Sequence, residues 1–154
     1  MKRVSLIIFM VIATGLNGSV FSKQPPTSVI LADYDKAEVA FSFKHGLVNE
    51  KKAWDVMLDL PHGLGSNNSA LAKRFKSGGI LDLGAVAFDS VKEVPEKGYV
   101  PALKPDEIKV GHSYAIKLST GKEYGKIFIT KFDKQAQVVE FQFELAKNNG
   151  RSFQ

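Results

Sequence analysis

The chain has 154 residues, 21 Lys and Arg against 16 Asp and Glu, and no cysteine. Without cysteine there are no disulfides, iron–sulfur clusters, thiolate zinc sites or cysteine nucleophiles, so packing alone must stabilise the fold. The net charge of +5 contains no run of like charge, which argues against nucleic acid as a partner.

Residues 1–22 read as a secretory signal peptide. Lys2 and Arg3 form a basic start, and the uncharged stretch from Val4 to Leu16 is shorter than the roughly 20 apolar residues of a membrane-spanning helix. Val20 and Ser22 suit cleavage after Ser22, which also removes two positive charges. This predicts an exported protein, periplasmic or secreted, with no stable membrane insertion after cleavage. Pro25-Pro26 makes 23–28 an extended arm, and 29–154 is then a single β domain with a polar C-terminal tail.

Strand-like alternation begins at Lys36–Lys44, where Val39, Phe41 and Phe43 share one side. His45-Gly46 ends that run. Trp54, Val56, Leu58 and Leu60 alternate with Ala53, Asp55, Met57 and Asp59, so the two runs form a hairpin across Gly46–Lys52. Pro61–Gly79 is rich in Gly, Asn and Ser and reads as a long loop with at most two helical turns over Ser69–Phe75. Ile80–Phe88 is a short strand with a bulge at Gly84. Asp89 is placed to cap a helical turn through Ser90–Val94 that Pro95 stops. Glu96–Asp106 carries separated prolines and reads as an ordered connection.

Gly111–Leu145 reads as three consecutive strands. An even loop around Thr120-Gly121 sets Tyr114 opposite Ile127 and Ile116 opposite Gly125. Tyr114, Ile116, Leu118, Ile127 and Ile129 then share an apolar face, while Ala115, Lys117, Tyr124 and Lys126 fall on a mostly polar one. Val139, Phe141, Phe143 and Leu145 alternate out of phase with Glu140, Gln142 and Glu144. Pairing Ile127 with Phe141 would set Phe143 over Gly125, joined by an odd connection or a bulge. Phe153 in the tail can dock back on the sheet.

The whole predicts an all-β, single-domain antiparallel sandwich or strongly curved sheet of roughly seven to nine strands with one short helical turn. The expected core includes Phe41, Phe43, Trp54, Val56, Ile116, Ile127, Phe141 and Phe143.

Chemistry is sparser. His45, His62 and His112 each adjoin a glycine, and none has metal-motif spacing, although two of them converging in space would ligate haem or a metal. Asp33, Asp35, Asp55 and Asp59 read as solvated strand edges, without the glycine and glutamate of a calcium loop. No serine elbow or phosphate loop occurs. Asn67-Asn68-Ser69 matches a glycosylation acceptor and carries no functional weight. Lys73, Arg74 and Lys76 surround Phe75 in the one basic cluster, suited to an anion or a stacking partner. Binding is therefore expected on the 61–79 loop and nearby strand ends, through His62, Asn67, Asn68, Lys73, Arg74, Phe75, Lys76 and His112.

The blocks Leu81–Pro101, Val110–Ile129 and Val138–Phe153 resemble a set of small exported bacterial β-proteins of unassigned activity. These share a Gly-His-x-Tyr strand, a Thr/Asp-Gly turn and an Asn-Gly-x-Ser-Phe tail. FSFKHG (41–46) and AWDVML (53–58) are similar to strands of the HmuY-like haem-binding proteins. That second resemblance implies a β architecture and places no haem ligand on the three histidines. The expected function is an exported, non-catalytic β module for an unidentified ligand or envelope partner. The alternatives are a haem or metal binder using two of the histidines, and a small hydrolase.

Overall fold

The computed structural model describes residues 27–49, 52–67 and 78–153. The signal-peptide segment 1–22, the Pro25-Pro26 part of the arm, the helical stretch expected over 69–75 and the cluster around Phe75 lie outside the described residues. Among those described, the elements in chain order are β1 (Thr27–Ala32), helical turn α1 (Tyr34–Ala37), β2 (Ala40–Ser42), β3 (Gly46–Val48), β4 (Val56–Asp59) and β5 (Gly63–Ser66). They continue with β6 (Gly79–Gly84), β7 (Ala102–Leu103), β8 (Ser113–Lys117), β9 (Tyr124–Asp133) and β10 (Val138–Leu145). The strands form two five-stranded antiparallel sheets, ordered β1-β10-β9-β8-β6 and β3-β2-β4-β5-β7. This is an all-β sandwich with more and shorter strands than expected. No helix among the described residues is long and apolar enough to cross a membrane.

The β8–β9 hairpin forms in the expected register, with Tyr114 opposite Ile127 and Ile116 opposite Gly125. Leu118 accepts from Gly121 N at 2.9 Å and donates to Glu123 O at 2.9 Å, closing a four-residue loop in which Gly121 takes the positive φ of 72°. Its apolar face packs with Phe41, Val56, Leu58, Leu64 and Phe141 into one core between the sheets.

β10 pairs two residues away from the expected register. Phe141 faces Ile129, Phe143 faces Ile127, and Leu145 faces Gly125. The turn falls later than expected, with Asp133 facing Val138, and a bulge at Thr130, skipped between the Lys131–Glu140 and Ile129–Phe141 pairs, restores the phase that puts Ile129 and Phe141 on one face; the Thr130 hydroxyl donates to Glu140 O at 3.1 Å. Gly125 is covered from the facing sheet instead of from a neighbouring strand. A Cβ there would collide with the Phe43 ring, so glycine admits the aromatic cluster at this point. Phe41, Phe43, Phe141 and Phe143 meet edge to face with centroids 4.8 to 5.8 Å apart.

The N-terminal elements depart further from the sequence reading. Thr27 and Ser28, assigned to the arm, begin β1 and pair with Phe143 and Gln142. Lys36 and Ala37 lie in α1, so β2 is only three residues long. β2 and β4 are neighbours as expected, but β3 takes the other edge of β2, inside the segment expected to be a plain connection. Trp54 is buried on the outer face with Ala40, Val48 and Met57, because β4 starts only at Val56 and the alternation does not extend back through Asp55.

The 61–79 segment is not wholly a loop. β5 pairs with β4, Leu58 facing Leu64, and Gly79 opens β6. Glycine-rich sequence disfavours strand on propensity, but the buried Leu64 and pairing on both edges override it. The bulge at Gly84 is present between Asp82 and Gly84. The helical turn falls on Phe88–Ser90 with Ala87 at its N-cap, so Asp89 sits inside it and does not cap it.

Residues 100–103 strap the two sheets together at one edge. Val100 and Ile80 exchange backbone hydrogen bonds of 2.8 Å, Pro101 O accepts from Ser66 N at 2.8 Å, and Leu103 faces Leu64. The face of the first sheet expected to be polar is also covered. Val91, Val94 and Phe153 pack on Ala115 and Tyr124, and the tail docks by Phe153 N donating to Lys92 O at 2.9 Å.

Candidate functional site

The three histidines sit in three different places. His45 lies exposed in the turn between β2 and β3. His62 lies in the β4–β5 turn with Nδ1 3.2 Å from Asp59. His112 leads into β8 with Nδ1 2.9 Å from Asp82 on β6. No group of three His, Cys, Asp or Glu that could hold a metal ion occurs among the described residues.

Other polar side chains have structural work. Asn67 is fully buried: its amide donates to Trp54 O at 3.1 Å and its carbonyl accepts from Gly78 N at 2.9 Å. It therefore clamps the two ends of the 68–77 segment and is not available as a ligand contact or a glycan acceptor. Asn68, Lys73, Arg74, Phe75 and Lys76 lie outside the described residues. Asp33 and Asp55 are buried and not solvated edges. Asp33 accepts from Asp35 N at 3.1 Å and Leu60 N at 2.6 Å. Asp55 accepts from Phe43 N and Ser119 N, both at 2.9 Å. These are backbone clamps, since a buried carboxylate needs donors around it.

The structure instead presents a groove of about 630 Å³ beside the strap. One wall is β6, through Ile80, Leu81 and Asp82. The floor is the strap, through Val100 and Ala102, and the far wall is the connection leading on to β8, including Lys104 and Lys109. Tyr114 fixes that far wall. Its hydroxyl accepts from Lys109 N at 2.8 Å and donates to Glu107 O at 3.2 Å, much as a tyrosine corner anchors the chain entering a sandwich strand. The Gly-His-x-Tyr stretch thus has a geometric meaning: His112 ties β8 to Asp82, and Tyr114 ties it to the connection.

No family model matches the chain, and no curated protein matches it. The groove must be read from its own chemistry. Sequence reasoning named His112 but missed Asp82, Val100, Lys104 and Lys109. The available signal was Pro101 and Pro105, which mark Glu96–Asp106 as ordered; ordered connections between strands are where rigid walls of sites arise.

Burial raises the pKa of Tyr114 above the ordinary phenol value of 10.0; the nearby Asp82 charge adds to this, while the Lys109 amide opposes it. Burial also raises Tyr99, whose hydroxyl donates to Pro95 O at 2.7 Å; Tyr124 adds to the rise and Arg151 opposes it. Both phenols ionise less readily folded than unfolded. Their contribution to stability is complete below pH about 10 and is lost as the pH rises beyond it towards the folded values. Absorbance at the phenolate band should show a late phase that shrinks in Tyr114→Phe and Tyr99→Phe. A single phase near 10 in a still-folded protein contradicts this.

Proposed function

We propose that the chain is an exported, non-catalytic β module that binds a ligand in the groove between β6 and the 98–109 connection. The observation that carries the reading is the groove itself. Its volume of about 630 Å³ lies within the range of small-molecule sites, and the strap that floors it is hydrogen-bonded to both sheets. Export is supported by the basic start, the apolar run from Val4 to Leu16 and the cleavage pattern at Val20 and Ser22. The resemblance to small exported β-proteins with a Gly-His-x-Tyr strand supports the same class. The 61–79 loop ranks lower as a site because its described ends are β5, Asn67 and Gly78, all engaged in pairing.

A thermal-shift screen on residues 23–154 tests the reading, with Ala102→Trp filling the groove. Compounds that raise the melting temperature of the native protein by several degrees, but not that of the variant, are expected. Compounds that raise both equally place binding elsewhere. Haemin in the same screen separates the histidine alternative, through a Soret band that is lost in His112→Ala.

A further inference from the structure

We infer that the chain forms a twofold dimer through the free edge of β1, joining the five-stranded sheets of two copies into one. The inference is independent of the groove, which lies by β6 at the opposite edge of the same sheet and stays open in such a dimer. The other sheet edges are protected. β6 is bridged by Val100 through backbone hydrogen bonds. β3 has three residues and β7 two, too short to template much pairing. β1 instead runs for six residues without a charge, a proline or a bulge, the devices that usually blunt an edge. Ile30 on its outer face is 61% exposed, more than any other large apolar side chain described. The charge beside it on that face, Glu140, lies one strand inward.

Backbone geometry says which groups lie open. Asp33 N donates to Gln137 O at 2.9 Å, continuing the ladder in which Ala32 faces Val138. Antiparallel bonding alternates, so Thr27, Val29 and Leu31 turn their N–H and C=O towards β10. Ser28, Ile30 and Ala32 turn theirs outward, and none finds a backbone partner there among the described residues. A second β1 running antiparallel meets all of them in one register. Ile30 then faces its own counterpart and Ser28 faces Ala32, each pair closing two hydrogen bonds. Sliding two residues one way sets Ala32 against Pro26, which has no N–H. Sliding the other way sets Ser28 against Tyr34, which is already in α1. The favoured register also places Val29 beside Leu31 on the core side and joins the two exposed Ile30 side chains outside. With no charge on β1, self-pairing brings no like charges together. Such self-complementarity is what an isologous twofold contact requires, and it favours a second copy over an unrelated segment.

The absence of cysteine gives a direct test. In this register the two Ile30 Cα atoms stand about 5.5 Å apart, within disulfide reach. Ile30→Cys in residues 23–154 should therefore crosslink to a dimer under mild oxidation. Ser28→Cys should not crosslink with itself, but should do so when mixed with Ala32→Cys. Sedimentation equilibrium of the cysteine-free protein should show dimers forming at about 10–100 µM, as suits a small interface. Ile30→Lys should weaken that association about tenfold or more by setting two like charges face to face. Ile30→Pro should abolish it while the fold survives, because proline removes an outward N–H that β10 does not use. A cooperative melt near the native temperature verifies each variant. A native protein still monomeric at about 1 mM overturns the second copy and leaves the edge to a strand of another protein. Crosslinking of Ser28→Cys as fast as Ile30→Cys overturns the pairing. A dimer that persists in Ile30→Lys or in folded Ile30→Pro overturns the β1 edge.

Discussion

Replacing Lys126 with alanine should lower stability by about 3 kcal/mol, the scale for breaking a buried charge pair and leaving its acceptors unmet. Lys126 is 2% exposed. Its ammonium donates to Phe88 O and Val91 O, each at 3.0 Å, and lies 3.0 Å from the Glu144 carboxylate on the neighbouring strand. It also sits over the rings of Phe88 at 4.4 Å and Phe153 at 4.6 Å. The lysine thus joins three separate segments: β9–β10, the turn at 88–91, and the C-terminal tail. Glu144 is 32% exposed and can rehydrate when the lysine is gone, which holds the loss below the top of that scale. The two carbonyls and the rings recover less. Lys126→Met keeps the stem's packing but not the donors, so its loss should be intermediate, about 2 kcal/mol. Glu144→Gln leaves the buried ammonium with only its two carbonyl acceptors and the rings, so it should cost about 1–2 kcal/mol, less than the alanine variant. In thermal melts the alanine variant should fall by roughly 10 °C for a domain of this size. A loss within about 0.5 kcal/mol of the native protein, the range of an ordinary surface substitution, would show that the tail and the turn hold without it.

Lys126 also shows where sequence reading stops. A period of two assigns Lys126 and Tyr124 correctly to the face opposite Ile127. It cannot say whether that face meets water. The second cover is built from 88–99 and 146–153, which have no periodicity, and they meet the sheet only through long-range contacts. The β8–β9 hairpin is legible for the opposite reason: its register comes from a local turn and a face that must be buried. β10 falls between the two cases. Its alternation is plain, but its register depends on where the turn falls and on one bulged residue, Thr130, and a bulge leaves little trace in composition. β5 is misread because Gly63 and Gly65 look like loop residues. The strand exists because Leu64 is fully buried and both edges of β5 are paired.

The site obeys the same division. His112 is visible as a histidine beside a strand start, while its partner Asp82 is 30 residues away and meets it only through the β6–β8 pairing. Lys104 and Lys109 look ordinary in a sequence with 21 basic residues. Only the fold brings them together on one wall of the groove.

Asp55→Ala should cost about 3 kcal/mol, because it removes the acceptor used by the buried Phe43 amide and the partly buried Ser119 amide, each worth about 1–3 kcal/mol. One oxygen accepts from Phe43 N in the turn after β2, and the other from Ser119 N in the β8–β9 loop, both at 2.9 Å. Asp55 itself is held by its own N–H donating to Phe41 O at 2.7 Å. One side chain therefore fixes the turn of one sheet to the hairpin of the other, next to the point where Phe43 rests on Gly125. Asn is not a conservative replacement here. Both carboxylate oxygens accept, whereas an amide offers one acceptor and turns two donors towards an N–H. Asp55→Asn should therefore lose about 2 kcal/mol, well beyond a typical isosteric swap, and rank between alanine and the native residue. Hydrogen exchange separates a local effect from a global one. The amides of Phe43 and Ser119 should lose protection first in both variants, and Leu118 and Glu123 in the same hairpin should lose it next. Full protection of Phe43 and Ser119 in Asp55→Ala, with an unchanged melt, would show that the two sheets are aligned by the aromatic cluster alone.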